Sequence, residues 1–156
     1  MILYKTLVRP IIDYCIPAWR PYLQKDITLL ERIQKRFTKL IDGCKTKNYS
    51  ERLDKLSITS LADRHYRMDM IEVFKTLKSV NSVYPENFLM LSDRPGRSNK
   101  KKLFKTRNHL DLCKCSFTSR VVDTWNALPD AVVQSADVNT FKHGIDKLMR
   151  DFRGQS

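Results

Sequence analysis

The residues best suited to chemistry in this sequence form a dense run of cations between Arg94 and Arg107. The run holds seven Lys and Arg side chains in fourteen residues and contains no Asp or Glu. Such side chains bind the phosphates of nucleic acids, because their charges replace the counterions that surround a polyanion. The cations are Arg94, Arg97, Lys100, Lys101, Lys102, Lys105 and Arg107.

Because like charges at this density repel one another, the run predicts a loop or an extended arm, residues 94–107, in the free protein. Turn chemistry at Pro95 and Gly96 favours the same conformation. Leu103 and Phe104 interrupt the cations, and we expect them either to anchor the arm to the body or to stack on bases. Basic runs of this kind also serve as nuclear-localisation signals.

A second group of cations recurs at spacings of three and four residues in the segment from Asp26 to Gly43. On a helix, this spacing places the four side chains on one face. One interpretation is a basic rail along a nucleic-acid backbone. The other, slightly favoured for this helix alone, is the ordinary solvated face of a packed helix. The four are Arg32, Lys35, Arg36 and Lys39.

Residues for catalysis or metal binding are scarce. The sequence has no Gly-x-Ser-x-Gly motif, no glycine-rich phosphate loop and no adjacent carboxylates of the kind that hold metals for nucleotidyl transfer. Asp69 and Glu72 are interpreted as a surface pair. His109, Cys113 and Cys115 lack the four ligands and the wider cysteine spacing of structural zinc. We therefore expect no catalytic residue, no metal and no cofactor.

The elements that must position these side chains are helices. The sequence has only 4 glycines, which argues against many tight turns, and apolar residues recur at helical spacing along it. The first helix is expected to be kinked or divided at Pro10. In the segment that begins at Asp26, the predicted N-cap, the predicted buried face is Ile27, Leu30, Ile33, Phe37, Leu40 and Ile41. The prediction is an all-α protein, a small bundle of five or six helices with a basic irregular insert near residues 92–112.

The overall charge indicates the same class of partner. The chain has 29 Lys and Arg against 17 Asp and Glu, a formal net charge of +12. This surplus favours a nucleic-acid partner, the alternative being a surplus that serves only solubility. No apolar run approaches the roughly 18 residues of a membrane span, and Lys5 and Arg9 interrupt the apolar stretch that a signal peptide would need. We therefore expect no membrane partner and an intracellular, nuclear location.

Three motifs in a fixed order give the sequence a family resemblance. Residues 3–41 contain L-Y-K-x-x-V-R-P-x-x-x-Y, then Trp19, then L-L-E-x-x-Q-x-x-x-T-K-x-I. Residues 119–129 read S-R-V-V-x-x-W-N-x-L-P. This set resembles the region that follows the catalytic palm in the reverse transcriptases of non-LTR (LINE-type) retrotransposons. The resemblance covers nearly the whole chain.

The resemblance implies that residues 1–45 are a thumb-like helical segment and that residues 46–156 are a helical C-terminal extension. It implies an RNA or DNA template–primer duplex as the partner, bound through its phosphates by the cations named above and by Arg120, with palm and fingers domains upstream. The sequence lacks the family's catalytic Asp-Asp pair, so we expect no polymerase activity from this chain alone. Trp125 is expected to pack in the core.

Two other interpretations stay open. The chain would be a helical protein-interaction module whose basic surface is incidental, or a decayed copy of the element without activity. In the latter case apolar residues within positions 1–20 would lie exposed and would promote association.

Overall fold

The computed structural model describes residues 2–80, 89–92, 101–107 and 110–154, and it confirms the all-α class. Of the residues that the structure describes, 66% are helical, and they form no β-strand. Short helices that periodicity cannot resolve raise the number of helical segments above the predicted five or six. All helical segments of the described residues, in chain order, are a π-helical turn Tyr4–Val8, α1 Arg9–Asp13, α2 Ile16–Trp19, α3 Gln24–Lys39, α4 Tyr49–Lys55, α5 Leu61–Leu77, α6 Asp111–Lys114, α7 Phe117–Asn126, α8 Asp130–Val133 and α9 Val138–Gly154.

The chain divides into two compact units, Met1–Tyr66 and Arg67–Ser156, and the boundary falls inside α5. Each unit is described by itself below. The division between residues 45 and 46, which the resemblance implies, stays a prediction.

The first helical stretch consists of two short segments that meet beside Pro10, in agreement with the expectation that the helix is kinked or divided there. The N–H of Arg9 donates to the carbonyl of Tyr4, five residues back, so the chain passes through a π turn immediately before the proline. Pro10 then lies in the first turn of α1. A second break comes at Cys15, whose φ of 54° is left-handed and separates α1 from α2.

One face of this stretch is apolar and exposed. Tyr4, Ile12 and Ile16 are buried. The opposite side carries five large apolar side chains, each at least 62% exposed, which are Ile2, Leu3, Leu7, Ile11 and Tyr14. The chain therefore does expose an apolar surface within residues 1–20.

The buried face of α3 is polar where the sequence predicted it to be apolar. Gln34 and Thr38 are fully buried, whereas Ile33 and Leu40, predicted to face inward, are exposed. The helix also begins at Gln24 after Leu23, so Asp26 lies in the first turn and does not cap it. The inward face is thus rotated away from the one that apolar spacing alone indicates.

Hydrogen bonds explain why glutamine is stable in this core. The amide oxygen of Gln34 accepts a bond of 2.8 Å from the Tyr4 hydroxyl. Its nitrogen donates to the Tyr49 hydroxyl and to the carbonyl of Thr59, both at 2.9 Å. A buried amide that is satisfied in this way adds stability and selects one packing arrangement.

Glu31 extends this network to the start of α5. Its carboxylate accepts the Tyr49 hydroxyl and, at 3.0 Å, the N–H of Leu61 in the first turn of α5. The Ser60 hydroxyl accepts the N–H of Asp63 at 3.1 Å. A carboxylate and a hydroxyl at this position satisfy helix N–H groups that have no intrahelical acceptor.

The core of the second unit is aromatic. Phe74 of α5 stacks on Phe141 of α9 with ring centroids 4.3 Å apart, and Trp125 of α7 lies 5.8 Å from Phe141. All three side chains are buried, which confirms the core position predicted for Trp125. At Gly144 of α9, a Cβ atom would lie 3.2 Å from Val132 of α8, so glycine permits these two helices to approach closely.

Replacing Gln34 with methionine is expected to destabilise the chain. The Gln34→Met side chain fills the same space but leaves the Tyr4 hydroxyl and the Thr59 carbonyl without a partner. Leaving two such groups unsatisfied is expected to lower the free energy of unfolding by about 2–4 kcal/mol. Urea denaturation followed by circular dichroism measures this cost. Gln24→Met on the exposed start of α3 is the matched control, and equal unfolding midpoints for the two variants would contradict the network.

The pH dependence of stability tests the same network. Burial raises the pKa of the Tyr4 hydroxyl from 10.0 to about 12. A group whose pKa is raised on folding stabilises the protein below its unfolded pKa and loses that contribution as pH rises. The stability advantage of wild type over Tyr4→Phe should therefore be full at pH 8 and should shrink between pH 10 and 12. Urea midpoints measure it, with Tyr22→Phe as the exposed control; a constant advantage would refute the linkage.

Candidate nucleic-acid interface

The described part of the basic arm, residues 101–107, is extended and held against other backbone. Leu103 forms an antiparallel bridge with Leu91. The N–H of Phe104 donates to the carbonyl of Met90 at 2.7 Å, and the N–H of Ser92 donates to the carbonyl of Lys102 at 2.8 Å. The predicted irregular insert is therefore confirmed for this stretch. Arg94, Arg97 and Lys100 lie outside the described residues.

Two adjacent side chains of α7 hold this segment from the other side. The indole N–H of Trp125 donates to the carbonyl of Lys101 at 2.9 Å. The Asn126 amide accepts the N–H of Leu103 and donates to its carbonyl, both at 2.9 Å. Asn126 thus pairs with Leu103 as a neighbouring strand would, and the arm is fixed through its backbone.

Exposure to solvent changes along the held segment. Leu103 is buried and anchors the segment, whereas Phe104 is 53% exposed. Lys101 and Lys102 are half-buried, and Lys105 and Arg107 are exposed. Of the two outcomes expected for Leu103 and Phe104, anchoring therefore applies to Leu103 alone.

The held segment and the start of α7 enclose a basic groove of about 750 Å³. Four cations line it together with two hydroxyls and one carboxylate. The Lys105 ammonium lies 2.5 Å from the Asp123 carboxylate, but both side chains are more than half exposed, so water screens this ion pair. The lining residues are Lys105, Thr106, Arg107, Lys114, Ser119, Arg120 and Asp123.

Arg120 enters this groove as a structural residue. Its guanidinium forms a two-bond pair with the Asp69 carboxylate, at 3.0 and 3.1 Å, and also donates to the carbonyl of Cys115. Asp69 is buried, so it is not the surface residue that the sequence predicted. A phosphate would have to compete with this paired carboxylate for the guanidinium. The nucleic-acid contact predicted for Arg120 stays a prediction.

The cations of α3 form a separate exposed surface in the first unit. Arg32, Lys35, Arg36 and Lys39 are all exposed, as a rail or a solvated face would require. Lys35 lies 5.0 Å over the ring of Tyr49. The exposed apolar side chains Leu29, Ile33 and Leu40 occupy the neighbouring row of the same helix. This surface is therefore less purely basic than the groove.

Metal-ligating side chains do not cluster in the part of the chain that the structure describes. Cys113 is exposed, Cys115 is half-buried and Cys44 is buried. His109, the third member of the weak zinc pattern, lies outside the described residues.

The sequence did not predict four members of the groove. Lys114 ends the short helix α6, Ser119 and Asp123 belong to α7, and Thr106 lies between two predicted cations. The contacts of Trp125 and Asn126 with the arm were not predicted either, because a local pattern does not show which distant backbone groups a side chain will bond.

Comparison with protein-family models, with curated proteins and with solved structures gives no match for this chain. Among the residues that the structure describes, no helix is long and apolar enough to cross a membrane.

Asn126→Ala is expected to release the held segment. Without the amide, the N–H and the carbonyl of Leu103 lose their partners, so the segment should open more often. Hydrogen exchange measured by mass spectrometry should show faster exchange in a peptide covering residues 101–107. Asn139→Ala, at an exposed position of α9, is the control. Unchanged exchange in Asn126→Ala would show that Asn126 does not hold the arm.

Proposed function

We propose that this chain is the thumb and post-thumb segment of a non-LTR retrotransposon reverse transcriptase, and that it binds template–primer nucleic acid through phosphates. The proposal is supported by the ordered motifs and by the concentration of cations on an extended arm. The upstream palm and fingers would supply catalysis, since this sequence has no Asp-Asp pair. The role of the chain is then to grip nucleic acid, in the nucleus, and not to polymerise it.

The observation that carries the proposal is the basic groove. Two of its cations, Lys105 and Arg107, directly follow the stretch from Lys101 to Phe104, whose backbone is held by hydrogen bonds. Lys105, Arg107 and Lys114 are exposed and reach the groove from two directions. Hydroxyls of Thr106 and Ser119 add hydrogen-bond donors suited to phosphate oxygens. Contacts of this kind position a strand without reading its sequence.

The motifs that carry the resemblance support the fold that this function needs. Glu31, Gln34 and Thr38 of the second motif face the interior of the first unit. Trp125 and Asn126 of the third motif hold the arm. The binding cations lie mostly outside these motifs. The charge and geometry of the groove, and not the motifs, therefore argue for phosphate binding.

Binding of a labelled primer–template duplex, measured by fluorescence anisotropy across a salt series, tests this function. The logarithm of the binding constant should fall against the logarithm of salt with a slope of about −0.9 per phosphate contact. A Lys105→Gln, Arg107→Gln, Lys114→Gln triple variant should lower the magnitude of the slope by about 2–3 and weaken binding.

The matched control removes three cations elsewhere in the second unit, at Lys142, Lys147 and Arg150 of α9. This control variant has the same net charge as the groove variant. If the two bind equally well, binding follows overall charge and not the groove. A third variant that neutralises Arg32, Arg36 and Lys39 asks separately whether the α3 surface contributes.

A protein-interaction module is the second candidate, and the exposed apolar face at the N-terminus favours it. Five large apolar side chains on one helical face, from Ile2 to Tyr14, are unusual in a protein that is alone in water. A well-folded chain that binds no nucleic acid at low salt, and that self-associates with rising concentration, would support this candidate instead.

A further inference from the structure

Phe104 is an aromatic residue whose ring is exposed to solvent on an ordered backbone. Large aromatic residues are mostly buried, yet this ring is 53% exposed, next to the fully anchored Leu103. The exposure is not that of a loose segment, because the N–H of Phe104 donates to Met90 and both backbone groups of Leu103 are bonded to Asn126. The backbone that carries the ring is therefore held in place at the surface.

The residues that follow Phe104 in the sequence include cations of the basic groove, although Phe104 itself is not one of the residues that line it. Lys105 follows it directly, and Arg107 lies two residues further along the same extended backbone. Consecutive Cα atoms are about 3.8 Å apart, so the Cα atom of Phe104 lies within the span of one or two nucleotides of the start of the groove. An aromatic surface beside a positive groove is the arrangement that binds unpaired strands, whose bases stack while their phosphates pair with cations.

In an intact duplex the bases are stacked on one another inside the double helix, so an aromatic side chain at its surface finds no free base face on which to stack. An unpaired base has a free face and can stack.

We propose that the basic groove holds an unpaired strand of nucleic acid, with one base stacked on Phe104 and the adjoining phosphates on Lys105, Arg107 and Lys114. This inference rests on the proposed function and deepens it. The groove would grip the single-stranded part of a template–primer and not its paired part. The chemistry is common to DNA and RNA, because every base has an aromatic face.

The test compares three labelled DNA probes of equal length by fluorescence anisotropy: a single strand, the same strand with abasic positions, and a duplex. Wild type is expected to bind the single strand about 5- to 100-fold more tightly than the abasic strand. Phe104→Ala should remove this difference and leave the affinity for the abasic strand and for the duplex unchanged. Phe104→Trp should retain it.

Phe152→Ala is the matched control, since Phe152 is an exposed phenylalanine in the same unit. It should bind all three probes as wild type does. Phe104→Leu separates stacking from apolar bulk and should behave like Phe104→Ala. Circular dichroism should show that each variant is folded, because about half of the Phe104 ring is already exposed to solvent.

The outcomes separate this inference from the function on which it rests. If binding depends on salt and on the groove cations, but Phe104→Ala binds the single strand as wild type does, the stacking role is overturned and phosphate binding stands. Equal wild-type affinity for the intact and abasic strands would likewise overturn the stacking role and leave phosphate binding standing. If no probe binds in a salt-dependent way, the proposed function fails, and the inference fails with it.

Discussion

The backbone of the basic arm is held by two side chains, and the candidate site depends on that contact. Lys101, Lys102, Lys105 and Arg107 repel one another, so a free segment of this composition would extend into solvent. Trp125 and Asn126 bond to its main chain and not to its cationic side chains. The backbone contacts therefore order the segment without using the charges of Lys102, Lys105 and Arg107.

Hydrogen bonds between residues far apart in the sequence also organise the first unit, where a buried polar side chain makes them. Gln34 bonds to Tyr4, which lies thirty residues away, and to Thr59, which lies twenty-five away. Such bonds are costly to break, because each lost partner leaves a polar group buried in a medium of low dielectric constant. In both units, then, the polar residues of the sequence motifs hold the fold, and the residues proposed to bind nucleic acid lie around them.

Sequence periodicity predicted the helical class and the long helix α3, because apolar residues at spacings of three and four encode a helix locally. It failed at Ile33 and Leu40, which are exposed, and at Gln34 and Thr38, which are buried. Apolar spacing cannot show that a glutamine will find three partners from other parts of the chain. For the same reason it could not show that Asp69 would take up the guanidinium of Arg120. Both failures concern pairings over long sequence distances, about which a local pattern carries no information.

These pairings affect how the binding of nucleic acid in the groove would change the stability of the held arm. Cations crowded on a held backbone raise the electrostatic energy of the free protein, and an anion in the groove would lower it. A ligand that binds only the held arm stabilises the held arm, so nucleic acid and the Trp125–Asn126 contacts would reinforce each other. Arg120 acts differently, because the carboxylate that it pairs with, Asp69, is buried, and breaking that pair would leave the carboxylate without compensation. The ion pair of Lys105 with Asp123 is exposed on both sides, so a phosphate would displace it at a lower cost. Lys105, Arg107 and Lys114 would therefore contact the phosphates, while Arg120 would keep the wall of the groove in place.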